Sequence, residues 1–331
     1  MKKIINDPEQ FVDEVLKGIL LAHSDQLRSA NSDARVIVRA DAPGPRVGIV
    51  TGGGSGHLPV FLGYVGKGLC SGVAVGNVFS SPSSEQIFNA SVEVNGGMGV
   101  LYLFGNYGGD VLNFELAADL CELEDIETAT VLVSDDVMSA PQERADSRRG
   151  VAGMVFAFKC AGASAERGDS LAQVAEVARK VVRNTRSAGV GLSPTILPAA
   201  GKATFELPDG MMEIGIGIHG EPGIHRGEIE SADAITTRLL TPILEDLGAK
   251  SGEKFAVLVN GLGATPLEEL YLMFSKTHQT MKELGLEISV KFIGEYATSL
   301  EMSGASITIM RLDDELEELL KSPASSPFFQ V

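Results

Sequence analysis

Residues 46–59 read RVGIVTGGGSGHLP: a short apolar run, a glycine run, and then a histidine, His57. An apolar segment of this length, closed by glycine, reads as a strand buried on both faces. The same pattern recurs at VLYLF (100–104), which ends in GNYGGD, and at ATVLVS (129–134). Helical segments fall between and after these strands, at 83–95, 110–121, 150–167 and 170–187. An amphipathic helix opens the chain, with Phe11, Val12, Val15, Leu16, Ile19 and Leu20 on one face. Strand and helix in alternation predict an α/β fold with a mostly parallel sheet. In such sheets ligands sit at the carboxyl ends of strands, and two of the three exits here are rich in glycine.

After SAGVGLSPTILPAAGK (187–202) the pattern changes. Strands are expected at 211–218, 255–259, 287–293 and 305–310, and a helix at 266–284. That helix is signalled by Thr265 as N-cap, Pro266 at its first position and Glu268 completing a capping box. A last helix, Leu312 to Leu320, has Asp313 and Asp314 at its start and Pro323 beyond it. A chain of 331 residues exceeds the usual size of one domain. We therefore expect two domains, 1–190 and 191–331, each a sheet flanked by helices, the N-terminal one mostly parallel.

Composition excludes several classes of function. The net charge of -17 argues against nucleic acid and against anionic membranes as partners. No run approaches the roughly 18 apolar residues of a membrane span. The start, MKKIINDPEQ, lacks the apolar stretch of a signal peptide. Cys70, Cys121 and Cys160 lie far apart, so they read as buried thiols of a cytoplasmic protein, neither disulfides nor metal ligands. No metal site is expected.

Three loops carry candidate chemistry. IGIGIHGEPGIHRG (214–227) contains a formal Gly-x-Gly-x-x-Gly, but its glycines fall within the expected strand 211–218 and not at a strand-to-helix turn, so the dinucleotide reading fails. On a strand, Gly215 and Gly217 would share a face with His219 and clear space beside the imidazole. TGGGSGHLP (51–59) is no Walker loop, although its glycines could present backbone N–H groups to an oxygen-rich ligand. GNVFSSPSSEQ (76–86) suggests a helix start, with Ser81 capping and Pro82 at the first position. GNYGGDVLNFE (105–115) puts Asp110 at a helix N-terminus, where the helix dipole favours a carboxylate. Together the loops supply two histidines and an aspartate, the material for acid/base work or for a histidine nucleophile. The reaction itself stays open at this level.

GGGSGH, GNVFSSPS, NYGGD, RRGVAGMVFAFKCAGA, IGIGIHGEPG and YATSLEMSGASITIMRLDDELEELL occur in order along the chain. With these motifs the sequence resembles, from end to end, the substrate-binding K subunit of the dihydroxyacetone kinase family. The resemblance implies a kinase component that holds a short ketose as a hemiaminal on His219. It implies acid/base roles for His57 and Asp110, and places Gly54, Ser55, Gly56 and Ser81 around the substrate. It further implies a cytoplasmic homodimer with no cofactor of its own. ATP or ADP and Mg²⁺ would sit on a separate helical L subunit, which uses ATP or is recharged by a phosphoryl carrier protein of a phosphotransferase system. Some members of the family instead bind the ketose as sensors that partner a transcription regulator, and this is the alternative reading. The sequence also departs from the family pattern. Gly105 stands where a lysine is usual, Gly108 where threonine is, and Leu58 where glutamate is. These changes suggest an enlarged pocket, so that the substrate is dihydroxyacetone or a slightly larger ketose such as a tetrulose or a branched short ketose.

Overall fold

The computed structural model describes residues 2–31 and 33–331. One six-stranded sheet contains β1 (Leu27–Ala30), β2 (Asp33–Arg39), β3 (Gly48–Ser55), β4 (Gly72–Val78), β5 (Val100–Gly105) and β6 (Thr128–Val133), in the order β1-β2-β4-β3-β5-β6. The pairs β4–β3, β3–β5 and β5–β6 are parallel, while β1 and β2 are added antiparallel. The second sheet holds β7 (Thr185–Ser193), β8 (Met211–Ile214), β9 (His225–Glu228), β10 (Lys254–Gly261), β11 (Glu287–Gly294) and β12 (Ser303–Leu312), in the order β11-β10-β12-β7-β8-β9. Its only parallel pair among the described residues is β10–β11. The α/β class and the mostly parallel first sheet agree with the expectation from sequence.

Eight helices accompany these strands among the described residues: α1 (Phe11–Ala22), α2 (Ser84–Val94), α3 (Gly108–Leu123), α4 (Met154–Arg167), α5 (Leu171–Asn184), α6 (Ala232–Leu247), α7 (Leu267–Glu283) and α8 (Asp314–Lys321). Residues Met154 to Ala165 of α4 are all buried, as expected of a helix that is apolar around its whole circumference. One continuous core joins α4 and α5 to Ile49 and Leu101 of the first sheet and to Leu258 and Met310 of the second. A lysine inside this core, Lys159, donates from Nζ to the carbonyl of Leu319 at 2.6 Å. There it meets the negative end of the α8 dipole.

Three local expectations are corrected. Thr265 does not cap α7: Pro266 holds the N-cap position, and the Thr265 hydroxyl donates to the Gly304 carbonyl at 2.6 Å. Ser81 does not cap α2. Ser83 does, in a full capping box with Gln86. The helix expected over 170–187 stops at Asn184, because residues 185–193 form β7 inside the second sheet, between β12 and β8. Pairing on both sides overrides weak strand propensity there.

Candidate active site

β3 pairs with β5 only over Gly48–Val50 but with β4 as far as Ser55. Two neighbouring parallel strands therefore part towards their carboxyl ends. They part where strand order reverses, since β4 lies on one side of β3 and β5 on the other. This is the ligand-binding position of an open parallel sheet. His57 follows β3, Ser81 follows β4, and Asp110 is the third residue of α3, after β5.

The glycines before His57 do not form a loop that cradles an anion. Gly52, Gly53 and Gly54 are buried strand residues laddered to β4. A Cβ on Gly54 would stand 2.6 Å from the Cα of Phe79. Glycine thus lets the segment after β4 close directly onto β3. Phe79 in turn stacks on the His57 ring, with centroids 4.7 Å apart and planes 19° apart.

His57 is only 1% exposed. Its Nδ1 lies 2.7 Å from the carbonyl oxygen of Thr298. A carbonyl can only accept, so Nδ1 carries the proton and Nε2 carries the lone pair. Burial, reinforced by the neighbouring His219, lowers the pKa of His57 to about 3. The ring is therefore neutral near pH 7, with Nε2 free of any protein partner.

The strand expected over 211–218 ends at Ile214. Gly215 has φ +80°, and the chain turns there into the loop that bears His219. The glycines do not clear space beside the imidazole as expected. A Cβ on Gly217 would lie 2.1 Å from Oε2 of Glu221 and 2.5 Å from Nη1 of Arg149. Its glycine makes room for a carboxylate. That carboxylate accepts from His219 twice: from the backbone N–H at Oε2 (3.0 Å) and from the ring at Nδ1, 2.9 Å from Oε1. Burial opposes the charge on Glu221, but the bond and charge of His219, a backbone hydrogen bond and the Arg149 guanidinium together outweigh it and hold the carboxyl at about 2. The His219 ring meets Tyr107 edge-on at 4.8 Å and His57 at 4.9 Å between centroids.

Asp110 is buried, and burial raises its pKa to about 6 against the pull of Ser81 and His219. The Ser81 hydroxyl also accepts from Asn113 at 3.1 Å. Ser55 Oγ, His57 Nε2 and Asp110 Oδ1 are all buried without a protein hydrogen-bond partner. Orphan polar atoms are rare in protein interiors, and here three of them belong to residues singled out from the loops. Gly56 has φ +99° and accepts through its carbonyl from Leu300 N–H at 2.7 Å.

The substitutions suggesting a larger pocket divide. A Cβ on Gly105 would meet Tyr107, the Gly150 carbonyl and Met154 sulfur at 3.1–3.3 Å, so no volume opens there. One on Gly108 would meet nothing within 4 Å. Leu58 lines a mainly apolar cavity of about 530 Å³, together with Phe11, Val12, Leu16 and Phe61, that includes neither His219 nor Asp110.

Sequence reasoning brought His57, His219 and Asp110 into question and missed Glu221, Thr298 and Phe79. Glu-Pro-Gly after His219 reads as a turn. Its glutamate two residues from a histidine is the signal that was available.

The model of the Dak1 domain matches residues 17–328. The chain is 45% identical, over all of both chains, to the dihydroxyacetone-binding subunit DhaK of the PTS-dependent dihydroxyacetone kinase 2 of Listeria innocua. It is 41% identical to the L-erythrulose kinase of Pectobacterium atrosepticum, over 100% of this chain and 56% of that longer one. The solved dihydroxyacetone kinase of C. freundii superposes with a TM-score of 0.88 at 32% identity, over 98% of this chain and 59% of that one. With a family model spanning nearly its whole length and a full-length relative at this identity, the chain belongs to the dihydroxyacetone kinase family and carries its Dak1 domain.

Proposed function

We propose that this chain is the ketose-binding component of a dihydroxyacetone-type kinase, holding a short hydroxyketone covalently on His219 for phosphorylation of a terminal hydroxyl. The observation that carries the proposal is the set of orphan polar atoms, Ser55 Oγ, His57 Nε2 and Asp110 Oδ1, beside a histidine whose Nδ1 is already engaged by Glu221. In capture, Nε2 of neutral His219 bonds to the carbonyl carbon and the C=O π pair moves to oxygen. That oxygen takes a proton from Asp110, whose raised pKa keeps a protonated fraction near neutrality. The ring's Nδ1 proton passes by way of Glu221 to solvent, and Asp110 takes a proton back from solvent. In sum, N–H adds across C=O to give a hemiaminal. Glycerol, with no carbonyl, cannot be held this way.

In phosphorylation, the terminal hydroxyl gives its proton to Nε2 of His57 as its oxygen bonds to phosphorus and the bond to the leaving group breaks. A base with so low a pKa accepts the proton only as the hydroxyl is consumed. Positioning supplies much of the remaining rate. Among the described residues no group of three His, Cys, Asp or Glu is placed to hold a metal ion. In this reading nucleotide and Mg²⁺ sit on a partner L subunit, recharged directly by ATP or through a phosphoryl carrier. Gly54 and Gly56 shape the wall beside His57, and Ser81 steadies Asp110. A homodimer in the cytoplasm completes the proposal, with Cys70, Cys121 and Cys160 all buried as free thiols. No helix among the described residues is long and apolar enough to cross a membrane.

Relatives named for dihydroxyacetone and for erythrulose both match this chain, so both ketoses are candidates. The test is intact-mass spectrometry under gentle ionisation after incubation with dihydroxyacetone or erythrulose. The protein should gain the whole mass of the ketose, and His219→Ala should gain nothing while keeping its fold. An adduct that survives in His219→Ala would end the assignment. Adding the L subunit then separates kinase from sensor, since a sensor forms the adduct without turning it over.

A further inference from the structure

Arg149 links the two sheets at the site. Its Nε donates to Oδ2 of buried Asp136, just after β6, at 3.0 Å, and its Nη2 lies 2.8 Å from the same oxygen. Nη2 also donates to the carbonyl of Gly215, just after β8, at 2.8 Å. Nη1 lies 4.0 Å from Oε2 of Glu221. The main chain fixes the same corner: Asp136 N–H donates to the Arg149 carbonyl at 3.1 Å, and Arg149 N–H donates to the Ser139 hydroxyl at 3.0 Å. A guanidinium suits this task because its donors leave a rigid plane in fixed directions. Charges therefore alternate along a line, Asp136, Arg149 and Glu221, and the His219 ring stands at its end.

We propose that Glu221 and Arg149 are positioning residues for His219. Glu221 selects the Nδ1–H tautomer and so leaves the lone pair on Nε2, and Arg149, anchored on Asp136, holds Glu221 and the loop from Gly215 in register. A neutral histidine in water favours the opposite tautomer, with the proton on Nε2, and such a ring presents no lone pair to a carbonyl. The partner of one ring nitrogen decides the chemistry of the other. Gly217 belongs to the same device, because any side chain there occupies the place of the Glu221 carboxylate.

The proposal rests on the covalent reading for its consequence, whereas its first test needs no ketose. In protein labelled with ¹⁵N-histidine, at a pH where His219 is neutral, long-range ¹H–¹⁵N spectra should show a protonated Nδ1 and a bare Nε2 for His219. Glu221→Ala should reverse this pattern and slow adduct formation at least tenfold. Glu221→Gln, whose amide oxygen can still accept from Nδ1, should keep the tautomer and lose less. Gly217→Ala removes no polar group and should act like Glu221→Ala, since the methyl displaces the flexible ends of Glu221 and Arg149. Arg149→Met should slow capture, and the Arg149→Met/Glu221→Ala pair should be within about twofold of Glu221→Ala alone, as for residues acting through one contact. Circular dichroism checks that each variant is folded. The proposal is overturned if Glu221→Ala and Gly217→Ala keep the Nδ1–H tautomer, or reverse it with capture unchanged. Additive losses in the double variant would remove Arg149 from the device. Should the unaltered protein form no adduct, the covalent reading falls, and the tautomer spectra still decide the role of Glu221.

Discussion

Asp110 offers a test in which site chemistry is read as protein stability. Burial raises its pKa from the ordinary 3.8 to about 6. The folded state therefore holds this proton more tightly than the unfolded chain does. Its charge costs no stability well below pH 4, an increasing amount between pH 4 and 6, and a constant amount above. Two units of difference at about 1.4 kcal/mol each give a full cost of about 3 kcal/mol at pH 8, and about 1.6 kcal/mol at pH 5. Asp110→Asn has no charge to bury. Its contact differences from the neutral carboxyl do not vary with pH, so they drop out of the comparison. Urea unfolding of both proteins at pH 5 and pH 8, with unchanged m-values, should show the gap moving in favour of Asp110→Asn by about 1.4 kcal/mol. The same variant should slow the partnered phosphorylation by about 10² if the carboxyl serves as acid. A gap that stays constant or moves the other way would refute the account of Asp110 as a desolvated carboxyl.

His57 carries the opposite pH signature. Its pKa is lowered to about 3, so the stability of the neutral buried ring is intact above pH 6.5 and is lost as pH falls towards 3. By pH 5 the loss should reach about 2 kcal/mol, and urea unfolding of His57→Gln should lack that part of the slope. With the L subunit present, His57→Ala should reduce kcat by about 10² if Nε2 is the base. Gly54→Ala puts a methyl 2.6 Å from the Cα of Phe79, where backbone and not a flexible side-chain end must yield. Denaturation should show a loss of about 1–3 kcal/mol, and capture on His219 should weaken as Phe79 shifts from the His57 ring.

The parts of the fold that could be read in advance are those in which one residue pattern answers to one demand. β3 and β5 are apolar runs because helices and core cover both faces. α1 shows a helical period because one face is buried. Reading failed where two demands produced a misleading pattern. Ile214, Ile216 and Ile218 alternate with Gly215 and Gly217 as in a strand, yet the chain leaves the sheet at Gly215. One glycine is there for a turn with φ +80°, the other for a carboxylate. β7 was hidden for another reason, since a central position between two strands imposes extension on residues with little preference for it. Within the candidate site, His57 and His219 were legible because histidine is scarce in this chain, and Asp110 because it follows a glycine-rich strand exit. Thr298 was not. It acts through a main-chain carbonyl 241 residues from His57 in sequence, and any residue offers a carbonyl.

The two histidines show how neighbours divide work between identical side chains. Both rings have Nδ1 engaged and Nε2 bare, but one partner is a neutral carbonyl and the other an anion. In the proposed reaction this difference sets the assignment. Forming a bond from Nε2 to carbon puts positive charge on the ring, and the Glu221 carboxylate beside His219 balances that charge until the proton leaves. The same bond at His57 would place a cation in a buried site with only a carbonyl to meet it, and its pKa of about 3 measures that penalty. A base, unlike a nucleophile, holds charge only briefly, while the proton's former oxygen is being phosphorylated. A carboxylate at Thr298 would favour the protonated His57 ring and leave no lone pair to accept a proton near pH 7. Neutral support at one histidine and anionic support at the other thus separate capture from deprotonation across ring centroids 4.9 Å apart.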